Sequence, residues 1–132
     1  MPVKKNSGRQ EVIRAYVDIA YSDLVSGAAA EAIDLPVGAQ VVDGEIVRDT
    51  AFNSATSDNI VVGDSGVANR YLASTSIATT GRVALTPTGF RTTSATRKVT
   101  VTWTGVGAVP TAGQLRLGIG YIVNNRAAFT QD

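Results

Sequence analysis

Alternation is the feature that most limits the possible folds. Residues 99–104 read Val-Thr-Val-Thr-Trp-Thr, and residues 115–123 set Leu115, Leu117, Ile119, Tyr121 and Val123 at every second position, with Arg116, Gly118 and Gly120 between them. A period of two sends successive side chains to opposite faces of a strand, so each segment predicts a half-buried strand with one apolar face. A surface helix repeats its apolar positions every three or four residues instead. The signal recurs in residues 11–24, where Ile13, Ala15, Val17, Ile19 and Tyr21 share one side and Arg14 and Asp18 the other. A stock of 17 Val, 8 Ile and 15 Thr suits pleated strands, and 13 Gly and 4 Pro supply the turns between them.

The remaining segments fit the same class. Residues 26–33 predict a short strand running into the turn at Asp34-Leu35-Pro36. Residues 39–52 predict one long strand with a bulge near Asp43-Gly44, its apolar positions at Val42 and Ile46 changing face at Val47. A two-residue hairpin at Asp43-Gly44 is the competing reading, with very short arms. Residues 53–59 read as a turn, Ile60 to Val62 as a buried strand and residues 63–66 as a loop. Further strands are expected around Val67 to Leu72 and Val83 to Leu85, then a Thr-rich loop or ragged edge strand over 86–97. About eight strands with no room for crossover helices predict an all-β fold, an antiparallel two-sheet sandwich. The 132 residues fit one such domain over 11–132, preceded by a basic arm at 1–10.

Composition narrows the chemistry. The sequence has no cysteine and no histidine. That removes disulfides, thiol nucleophiles, imidazole relays and nearly every zinc, haem or iron–sulfur site. Paired carboxylates need neither residue, and Asp43, Glu45, Asp49, Asp58 and Asp64 are candidates by elimination. Their strand and turn positions suit solvated or turn-capping carboxylates better. Asp58 and Asp64 are also candidates for calcium, without the dense acidic run that a calcium loop uses. Gly105-Val106-Gly107 begins a nucleotide-type glycine motif, but no helix start follows it. The expectation is a non-enzyme with no cofactor and no metal.

Charge is more informative in its distribution than in its sum. A formal net charge of +1 gives no general drive toward direct nucleic-acid binding or an anionic membrane. No window approaches the roughly 18 apolar residues of a membrane span, and residues 1–10 lack the apolar core of a secretory signal, so synthesis in the cytoplasm is expected. Lys4, Lys5 and Arg9 make the first ten residues wholly basic, whereas residues 11–64 carry ten acids against Arg14 and Arg48. Residues 65–131 then hold seven bases and no acid. Either strands of the two halves interleave and compensate each other, or acidic and basic faces of neighbouring copies meet. Asp64 and Arg70, which bracket the loop GDSGVANR, are expected to pair across it. Trp103, Tyr21 and Tyr121 fall on core sides, which leaves Tyr16, Phe52, Tyr71, Phe90 and Phe129 as candidates for an exposed aromatic surface.

The ordered motifs IDLPVGAQVVDGEIV, TAFNSATSDNIVVGD, NRYLAS, GRVALTPTG and VTVTWTGVGAVPTAGQLRLGIGYI, within about residues 12–123, resemble a group of small virion proteins of tailed bacteriophages. The resemblance implies a jelly-roll or related β-sandwich on the outer surface of the capsid, where it decorates and cements the shell by bridging neighbouring capsid subunits. The implied partners are the major capsid protein and other copies of the chain in a homo-oligomer. The arm lies outside the resemblance, so Lys4, Lys5 and Arg9 are candidate partner contacts on charge alone. Phe90 and Arg91, in the 86–97 loop, are the second candidates, because loops on rigid scaffolds carry contacts. The alternative function is a tail-associated or surface module that binds carbohydrate or a receptor.

Overall fold

The inward residues of the alternating segments meet between two four-stranded sheets. The computed structural model describes residues 10–123, which form β1 (Ile13–Ala20), β2 (Ala29–Asp34), β3 (Gln40–Thr50), β4 (Ala55–Gly63), β5 (Leu72–Ser76), β6 (Gly81–Ala84), β7 (Lys98–Gly107) and β8 (Gln114–Ile122). One sheet has the order β1-β8-β3-β6 and the other β2-β7-β4-β5. Every pairing is antiparallel, and β1–β8, β2–β7, β3–β6 and β4–β5 nest inside one another. That nesting is a long hairpin rolled on itself, the jelly-roll arrangement of an antiparallel sandwich.

The core follows from the pattern. Leu115, Leu117 and Ile119 of β8 are completely buried, and Val62, Val99, Val101 and Ile60 of the other sheet join them in one cluster. Full burial of one such side chain stabilises the fold by about 1.5–3 kcal/mol. Trp103 closes one end, its ring 5.7 Å from that of Phe52. The Trp103 Nε1–H donates to the buried Asp58 carboxylate at 2.9 Å, and Ser54 N–H donates to its other oxygen, also at 2.9 Å. A buried carboxylate is tolerable there because donors replace its lost water.

Nesting also resolves the opposite charges of the two halves. Strands β1 to β4 come from the acidic half and β5 to β8 from the basic half, and each nested pair joins one of each. Arg116–Asp18, Lys98–Glu31, Arg82–Glu45 and Arg70–Asp64 are the resulting ion pairs, and Arg14–Asp43 adds one within the first half. Among residues 10–123, ten acids then stand against eight bases, so the sandwich is slightly acidic and the 1–9 segment carries the compensating cations.

Several local expectations need correction. The bulge does lie in one continuous strand, with the register to β8 shifting between Val41 and Asp43. Its buried residues, however, are Val41 and Ile46, whereas Val42 is only half buried. The extra residue changes the face between those two positions, earlier than Val47. Most of the expected 53–59 turn belongs to β4, because Ala55, Ser57, Asp58 and Asn59 pair with β7. Small polar residues sit there as strand because the long β7 hairpin supplies hydrogen-bond partners, which outweighs local propensity. β5 begins at Leu72 rather than Val67, since Asp64 folds residues 64–70 into a loop. β1 stops at Ala20, and Tyr21–Asp23 form a 3-10 turn in which the Asp23 carboxylate accepts the Ala20 N–H.

Candidate interaction surface

The 86–97 loop is held at several points along its length. Asp64 follows β4 directly, and its side chain is fully buried. It accepts the N–H groups of Gly66 and Val67 at 2.8 and 2.9 Å, the self-bonding turn that aspartate favours. Arg70 completes the set, with Nε 2.5 Å and Nη2 3.3 Å from the two carboxylate oxygens. The same guanidinium lies 3.5 Å from the centre of the Phe90 ring. Ser65 Oγ donates to the carbonyl of Ala95 at 2.6 Å, tying the two loops a second time. Burial pushes the Asp64 carboxyl upward, but the hydrogen bonds from Arg70, Val67 and Gly66 outweigh it and hold the group below the usual carboxylate range. Beside it, the Tyr71 hydroxyl is pushed up by burial and by the charge of Asp64.

Between Phe90 and Ala95, buried Thr92 locks the loop onto the β2–β3 connection. Its Oγ1 accepts the Ala39 N–H at 3.0 Å and donates to the Pro36 carbonyl at 2.7 Å. Phe90 is half buried under Arg70 while Arg91 is exposed, its backbone bridging to Gln40 and its Nη1 3.4 Å from the Gly38 carbonyl. The two residues are thus adjacent in an anchored loop, with Arg91 presented and Phe90 packed under Arg70. The sequence reading missed Thr92, one threonine among fifteen, whose role depends on a partner 53 residues away. Lys4, Lys5 and Arg9 lie outside the described residues.

The outer face of the β1-β8-β3-β6 sheet is the second surface. Tyr16 is 61% exposed, and Arg116 covers one side of its ring with Cζ 3.8 Å from the centroid. Arg14–Asp43 at 2.8 Å and Arg82–Glu45 flank it. Such exposed pairs contribute little stability, about 0–1 kcal/mol each. Gly118 leaves the middle of this face open, whereas a Cβ at Gly120 would come 2.2 Å from Asp43 Oδ1. Backbone crowding is therefore present at Gly120 and absent at Gly118.

The remaining candidates are dispersed. Asp43 and Glu45 face outward on one sheet, while Asp58 and Asp64 are buried in or beside the other, so these carboxylates do not flank a common space. Among the described residues, no three acidic side chains gather to hold a metal ion, and no helix is long and apolar enough to cross a membrane. Of the aromatic candidates, Phe52 and Tyr71 are buried, which removes them as sugar-stacking platforms. Phe129 lies outside the described residues.

No family model matches the sequence, and no curated protein matches it. Solved structures do. A chain of the cyanophage Pam1 capsid asymmetric unit superposes with a TM-score of 0.73 at 26% identity, covering 93% of this chain and 91% of that one. A chain of the Ralstonia phage GP4 capsid gives 0.65 at 20% identity, covering 95% and 91%. A chain of the acid-stable capsid of Helicobacter pylori bacteriophage KHP30 gives 0.62 at 15%, covering 85% and 87%. The chain is a jelly-roll β-sandwich with the fold of phage capsid structural proteins.

Proposed function

We propose that this protein is a non-enzymatic capsid decoration protein that cements the shell from its outer surface by bridging neighbouring capsid subunits. The observation that carries the reading is the likeness to the Pam1 capsid chain over 93% of the sequence. The partners are the major capsid protein and further copies of the chain. The anchored 86–97 loop supports the reading physically, since a bridge under load needs contacts whose geometry is set before docking. Arg91, next in sequence to the packed Phe90, is the contact on that side. Lys4, Lys5 and Arg9 supply a cationic contact on the other. Each contact is modest alone, and simultaneous engagement of several subunits multiplies them through effective concentration.

Electron cryomicroscopy of heads of the phage that encodes the chain tests this directly. Sandwich density is expected outside the shell, spanning the junctions between capsid subunits. Density elsewhere in the particle, or none, would overturn the proposal. Removing residues 1–10, or replacing Arg91 by Glu, is expected to lower occupancy, and rising salt should bring the full-length protein down toward the variants.

A further inference from the structure

A slot opens between the two sheets where edge strands β1 and β2 diverge. Its walls are Val17 and Ile19 of β1, Leu24 after the 3-10 turn, Ala30 and Ala32 of β2, and Val101 of β7 behind. The sequence makes this space: on β2 the residues facing it are alanines, whose methyl groups leave unfilled what a larger aliphatic side chain would occupy. The opening measures about 190 Å³. Three exposed carboxylates rim it: Asp18, Asp23 and Glu31. The bases nearest them are accounted for only in part. Arg116 stands 3.9 Å from Asp18 and is stacked on Tyr16, and Lys98 stands 3.4 Å from Glu31 while also opposing Asp34 in the β2–β7 register. The open edge of β1 runs along the same slot, offering backbone groups to an added strand.

We propose that this slot receives the N-terminal segment of a second copy of the chain. The segment Met-Pro-Val-Lys-Lys, residues 1–5, has the complementary chemistry: apolar side chains for the alanine-walled slot, then two cations for its acidic rim. It adds along β1 as an extended strand, the mode in which backbone bonds give affinity and alternate side chains give specificity. The charge balance agrees, since the sandwich is acidic by two and Lys4, Lys5 and Arg9 are basic by three.

The cations of a molecule's own arm stop short of its own Asp18. Gln10 is tethered to the far end of β8, its Nε2 2.7 Å from the Val123 carbonyl, and β1 runs from there toward the slot. Lys5 is five residues from that tether, a span of at most about 18 Å when fully extended. Asp18 lies eight residues along β1 in the opposite direction of sequence, about 27 Å away. Were the chain to reverse in the two residues before Gln10, the tightest hairpin, Lys5 would stand only opposite Val12. An arm that sets its lysines against Asp18 is therefore a neighbour's, and exchange of arms links copy to copy. This inference rests on the reading of the protein as one that works among copies of itself.

The absence of cysteine makes the test clean. Val3→Cys combined with Ala32→Cys in the full-length chain is expected to form disulfide-linked multimers under oxidising conditions, in solution or on heads. Lys4→Cys with Glu31→Cys, at an exposed rim position, provides a second pair if the first disturbs packing. Only intramolecular disulfides, or none with either pair in either setting, would overturn the inference. The double reversal Lys4→Glu/Lys5→Glu should abolish self-association in sedimentation at low salt, and adding Asp18→Lys/Glu31→Lys to the same chain should restore it. Failure to restore it counts against the slot. These outcomes are separable from the decoration role: a chain that cross-links between copies yet is absent from heads refutes that role alone, and one seen on heads without cross-links refutes the slot alone.

Discussion

Replacing Arg70 by Met tests the buried latch that sets the 86–97 loop. The Asp64 side chain has no exposed surface, and the Arg70 side chain is 16% exposed. Arg70→Met keeps the aliphatic stem but removes the two guanidinium donors at 2.5 and 3.3 Å, leaving the carboxylate with the N–H groups of Gly66 and Val67. Removing one partner of a buried ion pair costs about 3–5 kcal/mol. Because two backbone donors remain, the lower end applies, about 3 kcal/mol, which corresponds to a melting temperature lowered by roughly 10 °C for a domain of this size. Urea unfolding followed by Trp103 fluorescence measures it. The pH dependence gives a second check. Asp64 titrates lower when folded than the unfolded value of about 3.9, so its contribution is present above that value and lost as pH falls through the folded one. Asp64→Asn, which does not titrate, should therefore be less stable than the wild type at pH 7, with the difference shrinking below about pH 4. A cost under about 0.5 kcal/mol for Arg70→Met, typical of an ordinary surface change, would refute the reasoning.

Three further outcomes follow from buried contacts. Tyr71→Phe removes a buried hydroxyl that has no hydrogen-bond partner, so chemical denaturation at pH 7 should show it neutral or stabilising by about 1 kcal/mol. The Tyr71 hydroxyl titrates higher when folded, so the wild type should lose stability as pH rises above the unfolded value of about 10, and Tyr71→Phe should lose less. Trp103→Phe leaves the buried Asp58 carboxylate with Ser54 N–H as its remaining donor, at a cost of about 2–3 kcal/mol read by circular dichroism. Gly63→Ala would push a Cβ to 2.2 Å from the Val67 carbonyl, so thermal melting should show destabilisation by more than about 2 kcal/mol, with the loop after β4 displaced.

How much was legible depended on where each element found its partners. β1, β7 and β8 carry their own signal, because a strand with one wet and one dry face writes its orientation into alternate residues. The bulge in β3 was visible as a break in that alternation, although its position by one residue was not, since Val41 and Val42 are equally apolar and only the register with β8 distinguishes them. Residues 55–59 were opaque for a different reason: Ser57, Asp58 and Asn59 favour turns locally, and only the ladder to β7 makes them strand. Among candidate contacts, the Asp64–Arg70 pair was legible because its members are only six apart in one loop, whereas the stacking of Arg70 on Phe90 joins residues 20 apart in sequence.

By itself, the sequence determined the class: alternation demands half-buried strands, and the lack of histidine and cysteine removes most catalytic chemistry whatever the fold. Tertiary structure decided what the opposed charges of the two halves do. Neither half specifies a partner, but nested pairing lays each acidic strand against a basic one and settles most of the charge within the molecule. It likewise decided that Ala30 and Ala32 border an open slot, because a small side chain leaves space only where the facing strands diverge. Local periodicity tells a residue which way to face, and only long-range closure of the sheets determines what it faces.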